Sequence, residues 1–132
     1  MPQTAISAPS AAEVILLVDD DAAVLASLQF ALELQGFSVR PYPSAEALLA
    51  QPELPSHGCL VLDYNLPGLD GLALLERLRD RGVALPALLI TTPTSEAMTK
   101  ARAAGVEVVE KPLLGDALAL AVKRVLAPAP RF

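Results

Sequence analysis

Residues 59–71 read Cys-Leu-Val-Leu-Asp-Tyr-Asn-Leu-Pro-Gly-Leu-Asp-Gly. An apolar run ends on a carboxylate, and the turn-forming pairs Pro-Gly and Asp-Gly follow it. The run does not alternate apolar with polar, which is the pattern of a strand buried on both faces of a parallel sheet. The same texture recurs on either side, in Val14-Ile-Leu-Leu-Val18 and Leu88-Leu-Ile90. Phe37-Ser-Val-Arg40 and Val106-Glu-Val-Val109 are weaker strand candidates. Helical patterns fill the gaps. Residues 22–35 carry Leu25, Leu28, Ala31 and Leu32 at helical spacing and stop at Gly36. Ser44 suits an N-cap for the next helix, with Pro52 beyond its end. Residues 72–81 present Leu74, Leu75 and Leu78 and stop at Gly82. Residues 96–104, capped by Thr94 or Ser95, end at Gly105, and 117–126, capped by Asp116, end before Pro128. Strands and helices in strict alternation predict an α/β fold: a doubly wound five-stranded parallel sheet in three α/β/α layers, with right-handed crossovers.

The chain has 132 residues, enough for one domain with its own core. We expect a loose Pro/Ser/Ala-rich tail over 1–12, a folded domain over 13–127 and a short tail over 128–132. No solenoid repeat is evident. One cysteine, Cys59, excludes a disulfide framework and a cysteine-rich metal site. The mean hydropathy of +0.46 raises the question of a membrane span. The longest uncharged stretch, 82–95, is broken by Pro86 and Pro93, and a span needs about 20 clean apolar residues. The N-terminus lacks the positive charge and apolar block of a secretory signal. A net charge of −5 and a pI near 4.7 disfavour direct nucleic-acid binding. A soluble cytoplasmic domain is expected.

Open α/β sheets place their sites beyond the C-terminal ends of the strands. Asp19, Asp20 and Asp21 follow the first strand, and Asp63, Tyr64 and Asn65 follow the third. Thr91 and Thr92 follow the fourth, and Glu110, Lys111 and Pro112 follow the fifth. Converging carboxylates raise one another's pKa, and a hard divalent cation such as Mg2+ relieves the conflict. Asp19, Asp20 and Asp63 with Mg2+ and Lys111 sum formally to zero, leaving room for a phosphoryl group. Lys111 and Thr91 are suited to hold its oxygens, and Asp63 can act as the nucleophile that forms an aspartyl phosphate.

Taken together, Leu17-Val-Asp-Asp-Asp21, the segment Leu62-Asp-Tyr-Asn-Leu-Pro-Gly-Leu-Asp-Gly71, Ile90-Thr91 and Glu110-Lys-Pro112 resemble the receiver domain of two-component response regulators. The spacings match too, and the likeness covers about 13–127. It is similar to receivers of the nitrogen-fixation regulator type, here expected as a stand-alone, single-domain protein. The resemblance implies a flavodoxin-like fold with strand order 2-1-3-4-5. It implies that Asp63 is the phosphoacceptor, taking the group from a phosphohistidine on a sensor histidine kinase or a histidine phosphotransfer protein. Asp20 would bind Mg2+ directly, with Asp19 assisting through water and the Asn65 carbonyl as a further ligand. Lys111 would contact the phosphoryl group, the Lys111–Pro112 bond would be cis, and Thr91 would move to signal phosphorylation. Such a domain catalyses only its own phosphorylation and dephosphorylation.

Four positions depart from the common pattern. Val108 stands where many receivers carry Tyr or Phe, Thr92 where Ala or Gly is frequent, and Leu113 where Phe is frequent. Pro93 stiffens the loop after the fourth strand. The implied switch is therefore muted or rerouted through 92–104. The expected output is contact with a downstream protein through the last two helices and the strand between them, a face that would also serve a homodimer.

Other residues read more plainly. Asp21 suits a helix N-cap, and Asp70 with Gly71 a turn and helix start. His57 reads as an idle loop residue and Cys59 as a small core hydrophobe. Arg77, Arg79 and Arg81 read as a solvated helix face. Without a GxxxxGK loop, nucleotide binding has no support. Two alternatives stand: a degenerate receiver acting as a protein-binding adaptor, and a small Mg2+-dependent aspartyl phosphohydrolase.

Overall fold

The apolar runs become the strands of one parallel sheet. The computed structural model describes residues 13–92, 95–111 and 116–126. Its strands are β1 (Val14–Val18), β2 (Ser38–Tyr42), β3 (Cys59–Asp63), β4 (Ala87–Thr91) and β5 (Glu107–Glu110). They lie in the order β2-β1-β3-β4-β5, the flavodoxin-like order expected. The helices are α1 (Ala22–Leu34), α2 (Ala45–Leu49), α3 (Gly71–Asp80), α4 (Ser95–Ala104) and α5 (Ala117–Leu126). The tails expected over 1–12 and 128–132 lie outside the described residues, as do Pro93, Thr94, Pro112 with its expected cis bond, and Leu113.

Because strand side chains alternate between faces, each inner strand feeds two cores. Ile15, Leu17, Cys59, Val61, Leu88 and Ile90 pack with α1 and α5 residues such as Leu28, Leu32 and Val122. Leu16, Val18, Leu60, Leu62 and Leu89 pack on the other side with Leu48, Leu74, Leu78 and Ala101. This two-sided burial is why these runs contain no polar alternation. The outer strand β2 carries Pro41, which is tolerated because an edge strand need not pair on both sides.

The helices end where the chain chemistry says they should. Asp21, Ser44 and Asp70 accept hydrogen bonds from first-turn backbone N–H groups of α1, α2 and α3. Gly36 and Gly82 follow α1 and α3 with φ of 95° and 87°, a region costly for residues with a Cβ. Strands β3 and β4 run one residue further than their apolar stretches. Asp63 pairs in register with Ile90, and Thr91 with Glu110, so both polar residues belong to the ladder. Among the described residues, no helix is long and apolar enough to cross a membrane.

Candidate functional site

Register brings the site together. Val18 of β1 pairs with Leu62 of β3, so Asp19 and Asp63 emerge side by side at the C-terminal rim. Asp19 is 1% exposed and Asp63 2%. Asp20, one residue on, is exposed. One carboxylate oxygen from each of Asp19, Asp20 and Asp63 lies within 4.8 Å of the others. Asp21 is not part of this cluster. Its Oδ1 accepts from the N–H groups of Ala23 and Val24 at 3.0 and 3.1 Å, as a helix cap.

The two buried carboxylates have different surroundings. Asp63 Oδ1 accepts from the Asn65 N–H at 3.0 Å, and Oδ2 faces Lys111 Nζ at 3.4 Å. Asp19 Oδ1 accepts from the Asp21 N–H at 2.9 Å, but its buried Oδ2 has no hydrogen-bond partner among the described residues. Burial pushes the Asp19 carboxyl above its ordinary range. The Asp21 N–H and Lys111 oppose that shift, while the charge of Asp63 adds to it. An orphaned buried oxygen costs free energy unless something satisfies it. Three converging carboxylates with an all-oxygen donor set fit a hard divalent cation.

Thr91 is 1% exposed at the end of β4. Its hydroxyl donates to the Thr92 carbonyl at 2.9 Å, so it is turned onto its own loop rather than onto Asp63. Its carbonyl accepts from the Lys111 N–H at 2.9 Å, which couples the two segments that flank Asp63. Thr92 is exposed. Val108 is half-buried in β5 and packs against the core on the α2–α4 side.

Gly71 holds the site more tightly than its place in a turn motif suggests. A Cβ there would lie 2.5 Å from the Asp63 carbonyl oxygen and 2.8 Å from Leu89 Cδ2. Its N–H donates to the Tyr64 carbonyl at 3.0 Å. Asp-Gly in the sequence signals a turn, and only the fold shows that α3 begins against the backbone of Asp63. The arginines also differ from a merely solvated face. Arg79 donates to the carbonyls of Val83 and Leu85, and Arg81 to those of Leu49 and Gln51, at the opposite end of the sheet. His57 is exposed and Cys59 buried, as expected.

Residues 15–123 match the family model of the response regulator receiver domain. The chain is 36% identical over 118 residues to the transcriptional regulatory protein FixJ of Bradyrhizobium diazoefficiens, covering 87% of this chain and 57% of that protein. It is 31% identical over 122 residues to the response regulator protein TodT of Pseudomonas putida, covering 91% of this chain and 54% of TodT. The chain thus spans little more than half the length of these relatives. Among solved structures, FixJ-N superposes with a TM-score of 0.80 at 32% identity, covering 91% of this chain and 98% of that one. The chemotaxis protein CheY4 of Vibrio cholerae superposes at 0.79 with 24% identity, covering 87% and 99%, a likeness of fold.

Proposed function

The chain belongs to the response regulator receiver domain family of two-component systems, and from this premise we propose that Asp63 is its phosphoacceptor. The observation that carries the reading is the Asp63 carboxylate, buried at a strand end and held between the Asn65 N–H and Lys111. A carboxylate so placed can attack phosphorus. The Asp63 oxygen forms the new P–O bond as the P–N bond of a donor phosphohistidine breaks, and the imidazole leaves with the bonding pair. Loss of the group is the reverse logic with water: the P–O bond to Asp63 breaks, and the carboxylate and inorganic phosphate are released.

Each neighbour has a part in this. Lys111 carries the positive charge that steadies phosphoryl oxygens. The Asn65 N–H fixes one carboxylate oxygen, which leaves the other to react. Asp19, Asp20, Asp63 and the Asn65 carbonyl are the groups that would hold Mg2+. When bound, that ion would neutralise the acidic cluster and the incoming phosphoryl charge. Thr91 is poised to exchange its bond to the Thr92 carbonyl for one to a phosphoryl oxygen, which would shift the loop that leads into α4. Without a ring at Val108, the rearrangement runs through residues 92–104 to the face formed by α4, β5 and α5, where a downstream protein binds. The donor is a histidine kinase or a histidine phosphotransfer protein in the cytoplasm, and the domain turns over no external substrate.

Incubation with acetyl phosphate and Mg2+ tests this. The expected result is a mass gain of one phosphoryl group, absent from Asp63→Ala and absent when the metal is chelated. Equal labelling of Asp63→Ala, or turnover of a phosphomonoester such as p-nitrophenyl phosphate, would overturn it.

A further inference from the structure

A groove of about 1160 Å³ lies between α3 and α4 and reaches the last turn of α5. The sequence makes room for it. On the α4 side it is lined by Ala103, Ala104 and Gly105, which have almost no side chain to fill the gap. Leu72, Leu75, Ala87 and Val106 give it an apolar lining. Its charged residues fall into two groups. Arg79 donates to the carbonyls of Val83 and Leu85, Lys100 pairs with Glu96, Glu107 pairs with Arg124, and Asp70 caps α3. Glu76 and Asp80, one turn apart on α3, are exposed and form no ion pair among the described residues. An apolar lining beside two unneutralised acids suits a segment that brings one basic and one aromatic side chain.

We propose that this chain's own residues 127–132 dock in the groove. They read Ala-Pro-Ala-Pro-Arg-Phe. Val125, in the last turn of α5, lines the groove, so the segment starts at its edge. Proline fixes its own φ and disfavours helical backbone in the residue before it, so both Ala-Pro pairs favour an extended chain. Such a chain advances about 3.1 Å per residue, which carries Arg131 about 15 Å beyond Leu126. Helix α3 packs over β3 and β4. Strands lie about 4.8 Å apart, so the way from β5 across to β3 is about 10 Å. Arg131 therefore reaches α3, where it meets Glu76 and Asp80, and the Phe132 ring enters the apolar lining. Tethering favours this occupant over a free peptide, because a linked segment is held at an effective concentration of about millimolar. Docked there, the segment ties the end of α4 to α3 and closes the groove to other proteins.

A spin label on the full chain, with no phosphodonor present, tests this apart from the phosphoacceptor reading. Ala129→Cys provides the attachment point, while the buried Cys59 stays unmodified in the native protein. The expected result is selective broadening of the amide resonances of Glu76, Asp80, Ala87 and Val106, unchanged on dilution. Arg131→Glu should abolish the pattern, and adding Glu76→Lys and Asp80→Lys to that variant should restore it. Phe132→Ala should reduce it. The substituted acids are exposed, so circular dichroism should not change. The proposal is overturned by broadening that is absent from these residues or spread evenly over the surface. It is equally overturned by a pattern that fades on dilution, which would report a neighbouring molecule. Survival of the pattern in Arg131→Glu, or no recovery in the charge exchange, would also overturn it.

Discussion

Strand β3 carries a nucleophilic side chain at each end, Cys59 at its start and Asp63 at its finish. Both are almost wholly buried, at 0% and 2% exposure. Their chemistry nevertheless diverges. Burial pushes the Cys59 thiol up to about 12, with the charge of Glu13 adding to the effect, so it stays protonated and inert. Its Sγ donates to the Leu60 carbonyl at 3.5 Å. Asp63 has Lys111 on one oxygen and a backbone N–H on the other. Burial alone silences a nucleophile; under the phosphoacceptor reading, burial with a directed cation and donor is what would make Asp63 usable. The two ends of the sheet differ in the same sense. At the N-terminal end, Arg79 and Arg81 satisfy loop carbonyls, while the C-terminal end crowds carboxylates and leaves Asp19 Oδ2 unsatisfied. One end is arranged for stability, and the other, with its unsatisfied acid, is where the proposed chemistry is assigned.

The largest effect expected from this contrast is at Cys59. At pH 8 its alkylation by iodoacetamide in the native protein should be about a thousandfold slower than in denaturant, since a pKa near 12 rather than 9.0 leaves that much less thiolate. Native and unfolded rates that coincide would break the contrast outright. Next comes Gly71→Ala, which forces a methyl group against the Asp63 carbonyl and should cost about 1–3 kcal/mol in urea unfolding. It should also slow labelling of Asp63 by acetyl phosphate, because the acceptor strand end must shift.

Arg79→Ala sharpens the picture of the quieter end. Losing two hydrogen bonds from a charged donor should cost about 1–2 kcal/mol, against less than about 0.5 for the neighbouring Arg77→Ala. Equal effects would mean that Arg79 is merely solvated. The smallest change has the opposite sign. Asp19→Asn removes a buried charge beside Asp63 and should raise the thermal midpoint at neutral pH. The carboxyl of Asp19 is shifted upward on folding. Its stabilising contribution is therefore full below its unfolded value and is lost as pH rises through the folded one. The advantage of the variant should appear as pH rises across that window and vanish in acid. Saturating Mg2+ should stabilise the wild type more than the variant.

Much of this was legible before any coordinates. The uninterrupted apolar runs announced a sheet covered on both faces, and the caps at Asp21, Ser44 and Asp70 sit where their side chains can reach free N–H groups. Asp19, Asp20, Asp63 and Lys111 come together, as expected, because strand ends in such a sheet share one rim. What escaped depends on how the chain folds back. Arg79 looks like part of a charged helix face until the turn after α3 offers it the carbonyls of Val83 and Leu85, and Arg81 until the distant end of α2 brings those of Leu49 and Gln51. Gly71 looks like a turn residue until Asp63 is seen against it. The strand ends were placed one residue short at Asp63 and Thr91, because a polar side chain ends an apolar pattern without ending the backbone ladder.

The order of strands and helices, the two-sided core and the identity of the acidic, hydroxyl and amino groups at the rim are properties of the sequence itself. They follow from local periodicity and from residue types that allow little else. Tertiary structure alone decided which oxygen of Asp63 meets Lys111, that the Thr91 hydroxyl turns onto Thr92, that Asp19 keeps one oxygen without a partner, and that α1 retains an uncovered apolar face. Those outcomes depend on side-chain direction and on contacts between residues far apart in the chain. No local pattern encodes them, because each is set by what the rest of the fold leaves within reach.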